Sequence, residues 1–281
     1  MNYISLIEKY LNKKIINYQH ISIWWDFEVY IVDRVIFRLP KTEEKRKWMI
    51  EEMEKLSIIK KYVSLAIPNC QIINDSFIVY PLISGIQLPD EKSIYTDKVI
   101  NQLVWFMQEL HSIPLSEFWH KNESTNDWTD NSWLRAFVDT LKEDLHKKIG
   151  TILSKNQMND LENYMQELFF NYESPKKAFV HTDLQNKNII YDETRQEITW
   201  IIDFTDSKIG WIELDFCHFF EAGDDVLRKF IEIYTGNRDK SFFERVFFLA
   251  RRSIIFEIHN DEIFNTKYDY IVQKLKKYKF L

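Results

Sequence analysis

Glycine is scarce in this chain. Among its 281 residues only five are glycine: Gly85, Gly150, Gly210, Gly223 and Gly236. No two of them lie close enough to form G-x-G-x-x-G or G-x-x-x-x-G-K, the loops in which glycine lets the backbone approach a phosphate. The sequence therefore excludes the dinucleotide-binding and P-loop fingerprints.

Cysteine and long apolar runs are also in short supply, and the 43 acidic residues outnumber the 37 basic ones. Cys70 and Cys217 form no C-x-x-C pair, which fits free thiols in a reducing compartment better than a disulfide framework. The net charge of −6 offers no broad basic surface to nucleic acid or anionic lipid, so a charged partner should be cationic. The uncharged run Ser76–Pro89 is too short for a membrane helix, and Glu8 and Lys9 argue against a signal peptide. We expect a cytoplasmic monomer without nucleic-acid or membrane partners.

The first third of the chain has the pattern of a small antiparallel sheet with two helices. Helical spacing of apolar residues predicts helices at 3–11 and 42–62. Runs rich in β-branched and aromatic residues predict strands at 15–23, 27–33, 34–39, 70–73 and 76–82. Pro81 and Gly85 mark the exit from this sheet, so the first lobe should end near Ile86.

The rest of the sequence is mainly helical. Apolar spacing predicts helices at 93–111, 133–148 and 156–171, and several more between 213 and 278. Short strands and loops are predicted between 179 and 206. The residues with catalytic potential lie in this last segment.

That segment contains the run His181-Thr182-Asp183-Leu184-Gln185-Asn186-Lys187-Asn188, followed by Ile201-Ile202-Asp203-Phe204. An Asp with an Asn five positions later, and then an Asp-Phe at a strand end, is the arrangement that a phosphotransferase needs. It supplies one carboxylate beside the acceptor hydroxyl and two oxygen ligands for magnesium. An isolated Asp or Asn in a loop is usually a turn residue, so the prediction depends on the combination.

These motifs resemble those of the aminoglycoside phosphotransferase family, whose catalytic loop has the form H-x-D-x-x-x-x-N, and the resemblance covers nearly the whole chain. It implies an α+β, two-lobed protein-kinase-like fold. Residues 1–86 would form a nucleotide-binding lobe with a small antiparallel sheet, one long helix and the hinge, and residues 87–281 a mainly helical lobe with the catalytic loop and acceptor site. The resemblance also implies a kinase that uses Mg²⁺ and takes ATP or GTP as phosphoryl donor.

The resemblance assigns roles to the residues of the two motifs. Asp183 would be the catalytic base, which orients the acceptor hydroxyl and takes its proton. Asn188 and Asp203 would hold magnesium through hard oxygen atoms. His181 would support the backbone of the loop.

The strand at 34–39 resembles the one in which kinases carry a phosphate-binding Lys, and Arg38 stands at the best-matching position. A guanidinium can hold phosphate oxygens bidentately. Its expected partner is Glu52, with Glu51 as the alternative. Lys41 competes for the phosphate role, and Arg38 as an ordinary surface residue is the remaining alternative.

Pro81, Leu82 and Ile83 resemble the hinge whose backbone meets the purine edge, although their side chains do not separate ATP from GTP. Two positions depart from the family pattern. The loop expected to cover the phosphates, at 22–27, contains no glycine, and Thr205 stands where the family usually has Gly.

Acidic residues follow the metal motif and would attract a cationic acceptor. Asp206, Glu213 and Glu221 are the predicted acceptor contacts. As an alternative, Glu213 and Asp215 cap a helix and brace the catalytic loop, while Glu221, Asp224 and Asp225 form a solvated face. Three tryptophans in or beside a polar connection would either wall the acceptor pocket or pack against the large lobe: Trp119, Trp128 and Trp133.

An aminoglycoside is the leading acceptor that the resemblance implies. A choline-like amino alcohol, a macrolide, a fructosamine and homoserine are the alternatives within the same fold. A nucleotide-binding pseudokinase is the alternative from another class.

Overall fold

The computed structural model describes residues 3–21, 27–119, 131–234, 241–259 and 268–281. They belong to two compact units, one formed by Met1–Phe118 and Ala178–Gly236 and the other by Trp119–Lys177 and Asn237–Leu281. The small antiparallel sheet and the helical remainder confirm the predicted α+β kinase-like class. The division into lobes at residues 86 and 87 stays a prediction.

The elements follow one another in an order close to the one predicted from the sequence. The first are α1 (Tyr3–Leu11), β1 (Gln19–Ile21), β2 (Phe27–Val32), β3 (Val35–Pro40), α2 (Glu43–Ile59), β4 (Gln71–Ile73), β5 (Phe77–Pro81), β6 (Ile86–Gln87) and α3 (Asp97–Ser112). They are followed by α4 (Ser116–Trp119), α5 (Asn131–Ile149), α6 (Lys155–Gln166), β7 (Lys177–Val180), β8 (Ile189–Asp192), β9 (Glu197–Ile201) and β10 (Lys208–Trp211). The last are α7 (Asp224–Ile233), α8 (Phe242–Ala250), α9 (Arg252–His259) and α10 (Tyr268–Lys277).

The first unit contains a five-stranded antiparallel sheet with the strand order β1-β2-β3-β5-β4. Successive side chains of a strand point to opposite faces of the sheet. One face, with Phe37 and Leu39, packs in a core that includes Ile7 of α1. The other, with Val29, packs in a core that includes Met49 of α2. Because Arg38 lies between Phe37 and Leu39, it belongs to the face that α2 covers.

Two tight turns connect the strands of this sheet. Asp33 and Arg34 join β2 to β3, and Asn74 and Asp75 join β4 to β5, all four with positive φ angles between 47° and 63°. Such paired left-handed residues match the right-handed twist of the flanking strands. The polar pairs that punctuate the sequence at these points are therefore the turns.

Helix α2 carries a buried carboxylate within its apolar face. Thr42 caps its N-terminus by accepting a hydrogen bond from the backbone N–H of Lys45 at 3.2 Å. Met49, Glu52 and Leu56 are buried at helical spacing, so Glu52 occupies a position on the side of the helix that covers the sheet.

Two smaller sheets contain the strands that flank the predicted catalytic residues, one with the order β6-β8-β9 and one that pairs β7 with β10. Gly85, at the start of β6, has a φ of +125°, and a Cβ there would lie 2.6 Å from the Ile190 side chain and 2.9 Å from the Tyr191 carbonyl. Only glycine permits this close approach. The scarce glycine of the sequence is thus used where the chain leaves the first sheet.

The second unit is helical. Ser154 and Gln157 form a capping box at the start of α6. The helix predicted at 156–171 is observed as α6 followed by a π-helical turn, Glu167–Asn171. Tyr164 of α6 donates a hydrogen bond to the Phe248 carbonyl of α8 at 2.7 Å. No helix in the described part of the chain is long and apolar enough to cross a bilayer.

Candidate active site

A buried ion pair joins the sheet to helix α2. Nη1 of Arg38 on β3 donates to Oε2 of Glu52 at 2.8 Å, and the two residues are only 5% and 2% exposed. The Arg38 guanidinium also lies 3.8 Å from the centre of the Phe27 ring. Glu51 is exposed and Lys41 lies 3.8 Å from Glu28, so the structure pairs Arg38 with Glu52.

Neighbouring carboxylates stabilise the positive charge of the buried Arg38 side chain. Burial by itself lowers the pKa of Arg38, but the carboxylates of Glu52 and Asp203 outweigh that effect and raise the pKa above its ordinary value. Glu52 also holds the loop after β9, because its Oε1 accepts a hydrogen bond from the backbone N–H of Phe204 at 3.2 Å. The pair therefore connects β3, α2 and the loop after β9.

Asp183 lies in the loop between β7 and β8, and neighbouring side chains hold its carboxylate. Its Oδ2 accepts a hydrogen bond from Nδ2 of Asn188 at 2.8 Å, and its Oδ1 accepts one from Gln185. Two basic groups lie slightly farther away, Nζ of Lys187 at 3.5 Å from Oδ2 and Nε2 of His218 at 3.7 Å from Oδ1. The side chain remains 23% exposed, so a hydroxyl group from solvent can reach it.

Asn188 and Asp203 are connected through the backbone. The Asn188 amide donates both to the backbone carbonyl and to the carboxylate of Asp183, each at 2.8 Å. Its own carbonyl accepts the backbone N–H of Ile202 at 2.9 Å, one residue before Asp203. Because both contacts to Asp183 use Nδ2, the amide oxygen of Asn188 is the atom left to bind a cation.

The donor atoms fit magnesium. Asp203 supplies a carboxylate that is 20% exposed and Asn188 an amide oxygen, both hard ligands. Among the described residues, no three His, Cys, Asp or Glu side chains gather into a group that holds a metal. A site of one or two oxygen ligands that the nucleotide phosphates complete is typical of Mg²⁺ rather than of a closed metal cage.

A second network, made of buried hydrogen bonds, supports the predicted catalytic loop. Asp215 is wholly buried, and its carboxylate accepts the backbone N–H groups of His181 at 3.0 Å and Thr182 at 2.7 Å. His111, at the end of α3, lies 2.9 Å from the same carboxylate and 2.8 Å from the hydroxyl of Tyr234. Thr182 has a φ of +68°, a strained conformation for a β-branched residue, and the contact with Asp215 holds it there.

His181 is wholly buried in this network. Its Nε2 lies 3.1 Å from the Ile202 carbonyl, and its ring packs 4.6 Å from that of Phe204. The ring therefore connects the catalytic loop to the segment that carries Asp203. This placement favours the supporting role that the sequence predicts for it.

The Asp215 network predicts a specific acid sensitivity. Burial by itself raises the pKa of Asp215, but the hydrogen bond and charge of His111 and the N–H of His181 hold it below its ordinary value. A carboxyl group with a depressed folded-state pKa adds stability above its unfolded pKa of about 4 and loses it as pH falls further. We expect Asp215→Asn to lower the free energy of unfolding by about 2 kcal/mol at pH 7.

Urea denaturation at pH 7 and at pH 3 to 4 measures this effect. The difference in the free energy of unfolding between wild type and Asp215→Asn should narrow at the lower pH, because the wild type then loses part of this contribution. Asp224→Asn is the matched control, since Asp224 is an exposed acid at the start of α7. A pH-independent difference for Asp215→Asn would contradict the assignment of its charge.

Lys55 is a residue of this region that the sequence reasoning missed. It lies one turn after Glu52 on α2, and its Nζ donates to the backbone carbonyl of Ser207 at 2.7 Å and of Thr205 at 3.3 Å. Burial lowers the pKa of this amine. Helix α2 thus holds the loop after Asp203 through two side chains. The sequence does contain a signal for this residue: Lys55 follows Glu52 by three positions and therefore lies on the same face of the helix.

The predicted nucleotide-binding segments are only partly described. Pro81 ends β5 and is exposed, and the backbone N–H of Leu82 donates to the Arg34 carbonyl at 2.7 Å. Leu82 and Ile83 are half-buried. The hinge role of these residues stays a prediction. The glycine-free loop at 22–27 lies outside the described residues except for Phe27.

The predicted acceptor contacts differ in their access to solvent. Asp206 and Glu221 are exposed, and the Asp206 carbonyl accepts the Thr182 hydroxyl at 3.0 Å. Glu213 is wholly buried, which favours the bracing alternative for that residue. Trp128 and the side chains of Trp119 and Trp133 lie outside the described residues.

Comparisons with known proteins agree with this architecture. A family model described as choline/ethanolamine kinase matches residues 80–246, more than half of the chain. No curated protein sequence matches the chain.

Solved structures of phosphotransferases resemble the whole chain. The GDP and kanamycin complex of APH(2″)-IIia has a TM-score of 0.75 at 18% identity and covers 99% of this chain and 97% of that chain. A macrolide 2′-phosphotransferase type I has a TM-score of 0.71 at 13% identity, with 95% and 94% covered. The streptomycin–ATP–APH(2″)-IIa complex has a TM-score of 0.67 at 19% identity, with 92% and 91% covered. The predicted resemblance to aminoglycoside phosphotransferases is confirmed.

Proposed function

The chain belongs to the choline/ethanolamine kinase family, and on that premise we propose that it transfers the γ-phosphoryl group of ATP or GTP to a hydroxyl of a small cationic acceptor. The acceptor that we place first is an aminoglycoside. A choline-like amino alcohol is the second candidate. That the chain is a nucleotide-dependent small-molecule kinase follows from the family and the phosphotransferase fold. The acceptor, the nucleotide base and the role of each residue belong to the proposal.

The proposal rests on one observation. Hydrogen bonds connect Asp183 to Asn188, and Asn188 to the backbone next to Asp203. Asn188 donates to the Asp183 carboxylate at 2.8 Å, and its backbone accepts the N–H next to Asp203 at 2.9 Å. Hydrogen bonds thereby connect the proton acceptor that we propose to the two residues that we propose as oxygen ligands of a cation. Phosphoryl transfer needs this arrangement, because catalysis consists almost entirely of positioning and charge stabilisation.

Each side chain then has a defined task. Asp183 accepts a hydrogen bond from the acceptor hydroxyl and orients its oxygen for in-line attack on the γ-phosphorus. It takes the proton as the new P–O bond forms and the bond to the leaving nucleoside diphosphate breaks. Asn188 and Asp203 would hold Mg²⁺, which when bound neutralises charge on the phosphates. Arg38, fixed by Glu52, holds a permanent positive charge near Asp203, with 3.9 Å between its Nη2 and the carboxylate Oδ1. It is our candidate for the phosphate contact.

An aminoglycoside is placed first because the chain has the fold of enzymes whose solved complexes contain kanamycin and streptomycin. The exposed carboxylates of Asp206 and Glu221 are suitable partners for its amines. Asp206 is the stronger candidate, because its backbone is bonded to Thr182, the residue before Asp183. The macrolide phosphotransferase with the same fold keeps a macrolide among the alternatives.

The amino alcohol is the second candidate because the matching family model is described as choline/ethanolamine kinase. Choline also carries one positive charge and one hydroxyl, so the same catalytic segment would serve it. Fructosamine and homoserine remain alternatives of similar chemistry. A pseudokinase is no longer needed to explain the chain, because its family is a kinase family.

A turnover assay with a panel of acceptors tests the proposal. ATP and GTP are supplied in parallel with Mg²⁺, against several aminoglycosides, a macrolide, choline, ethanolamine and homoserine. We expect nucleotide consumption to rise on addition of an aminoglycoside, to stop when EDTA removes the cation, and to give a product heavier by one phosphoryl group in mass spectrometry. Turnover with choline or ethanolamine alone would establish the second candidate, and nucleotide binding without turnover of any acceptor would contradict both.

A further inference from the structure

The side chain of Thr205 occupies an unusual position between three charged groups. Its Oγ1 lies 2.9 Å from Nη2 of Arg38, 3.0 Å from Oδ1 of Asp203 and 3.1 Å from Oε2 of Glu52. A hydroxyl group has one proton to donate and two lone pairs that accept. Thr205 therefore accepts from Arg38 and donates to one of the two carboxylates at a time.

Without this hydroxyl, Asp203 lacks a short contact to the ion pair. The distance of 3.9 Å between Nη2 of Arg38 and Oδ1 of Asp203 is beyond hydrogen-bonding range. Thr205 closes that gap by bonding to both groups. Its methyl group contributes nothing to these polar contacts, so the hydroxyl is the part of the side chain on which the connection depends.

The backbone of the loop is held by other means. Glu52 accepts the N–H of Phe204 at 3.2 Å, and Lys55 donates to the carbonyls of Thr205 at 3.3 Å and Ser207 at 2.7 Å. Removal of the Thr205 hydroxyl would therefore leave the path of the chain in place. The Asp203 carboxylate would lose the partner that fixes its orientation.

We propose that Thr205 is a positioning residue, whose hydroxyl sets the Asp203 carboxylate for a divalent cation and connects that carboxylate to the Arg38–Glu52 pair. The inference rests on the proposed function, since it assumes that Asp203 holds the cation of a nucleotide. Hydrogen bonds to ligating carboxylates typically change metal affinity or activity by about 10–100-fold.

Three substitutions at this position separate the hydroxyl from the rest of the side chain. Thr205→Val keeps the shape and removes the hydroxyl, Thr205→Ala also removes the branch, and Thr205→Ser keeps the hydroxyl alone. Thr199→Val is the matched control, because the Thr199 hydroxyl on β9 donates at 3.2 Å to the backbone carbonyl of Ile190. Electron paramagnetic resonance then measures Mn²⁺ binding to each protein in the presence of ADP or GDP, whichever the wild type binds, independently of turnover.

We expect Thr205→Val and Thr205→Ala to weaken Mn²⁺ binding about tenfold, the lower end of the range for such contacts. Thr205→Ser and Thr199→Val should bind Mn²⁺ as the wild type does. In turnover, the Val variant should need about tenfold more Mg²⁺ for half-maximal rate and should recover most of its kcat at saturating Mg²⁺.

Three results would overturn the inference while the proposed function stands. They are unchanged Mn²⁺ binding in the Val or Ala variant, a Ser variant as weak as the Val variant, and failure of both the Val and Ala variants to fold. The last would mean that the hydroxyl stabilises the fold rather than positions Asp203. Absence of Mn²⁺ binding by the wild type with both ADP and GDP would instead overturn the proposed function, and the inference with it.

Discussion

Asp183→Asn should lower kcat about 10³-fold, within the range of about 10²–10⁴ that general acid–base catalysis contributes. Asn has nearly the same shape as Asp, and its amide oxygen can still accept the hydrogen bond that Asn188 donates at 2.8 Å. The substitution removes the negative charge that, in our proposal, accepts the proton of the acceptor hydroxyl. Nucleotide binding should persist, because Arg38 and the predicted hinge do not depend on this carboxylate.

Two measurements on the purified variant test this expectation, initial rates at saturating acceptor and the Kd for the nucleotide with Mg²⁺. Asp192→Asn provides the control, because Asp192 ends β8 and caps a turn by accepting the N–H groups of Thr194 and Arg195 at 2.9 Å and 3.0 Å. If the Asp183→Asn variant kept kcat within about tenfold of the wild-type value, Asp183 would not be the catalytic base. Loss of nucleotide binding together with turnover would point to a damaged loop.

The elements of the sheet could be predicted because short-range patterns determine them. The helix predicted at 3–11 is α1 with the same bounds, and the turns at Asp33-Arg34 and Asn74-Asp75 lie where the polar pairs indicated. Ends of helices were less certain. Helix α2 stops at Ile59 although helical spacing continues to Tyr62, where Lys61 and Tyr62 close a final tight turn.

The candidate site could be predicted where it is one local motif. Asp183 and Asn188 are five positions apart, and their hydrogen bond lies within one loop. The contact between Arg38 and Thr205 joins residues separated by 167 positions, and no spacing rule could place them together. For the same reason the sequence identified Thr205 only as a departure from a family pattern and gave its hydroxyl no partners.

Burial was the other quantity that the sequence left undetermined. Glu213 and Glu221 appeared equivalent as members of one acidic run, yet Glu213 is wholly buried and Glu221 is exposed. Asp215 of the same run is buried against the catalytic loop. A count of acids treats all of them alike, whereas the fold buries Glu213 and Asp215 and exposes Asp206 and Glu221.

Glu52→Ala should have the largest effect on stability, lowering the free energy of unfolding by about 3–5 kcal/mol. The loss is large because Arg38 stays buried without the carboxylate that compensates its charge. Arg38 is 5% exposed, and its pKa is raised chiefly because the Glu52 carboxylate compensates its burial. Without Glu52 the guanidinium stays charged and loses its 2.8 Å partner. The N–H of Phe204 also loses the acceptor it has at 3.2 Å.

The neighbouring residue supplies the control for this prediction. Glu51→Ala makes the same change one position earlier on α2, at an exposed side chain, and should alter stability by no more than about 0.5 kcal/mol. Urea denaturation at pH 7 compares the two variants with the wild type. Equal effects of Glu51→Ala and Glu52→Ala would mean that the buried pair does not stabilise the sheet against α2. A large loss confined to Glu52→Ala would show that one carboxylate both compensates the Arg38 charge and holds the loop that follows Asp203.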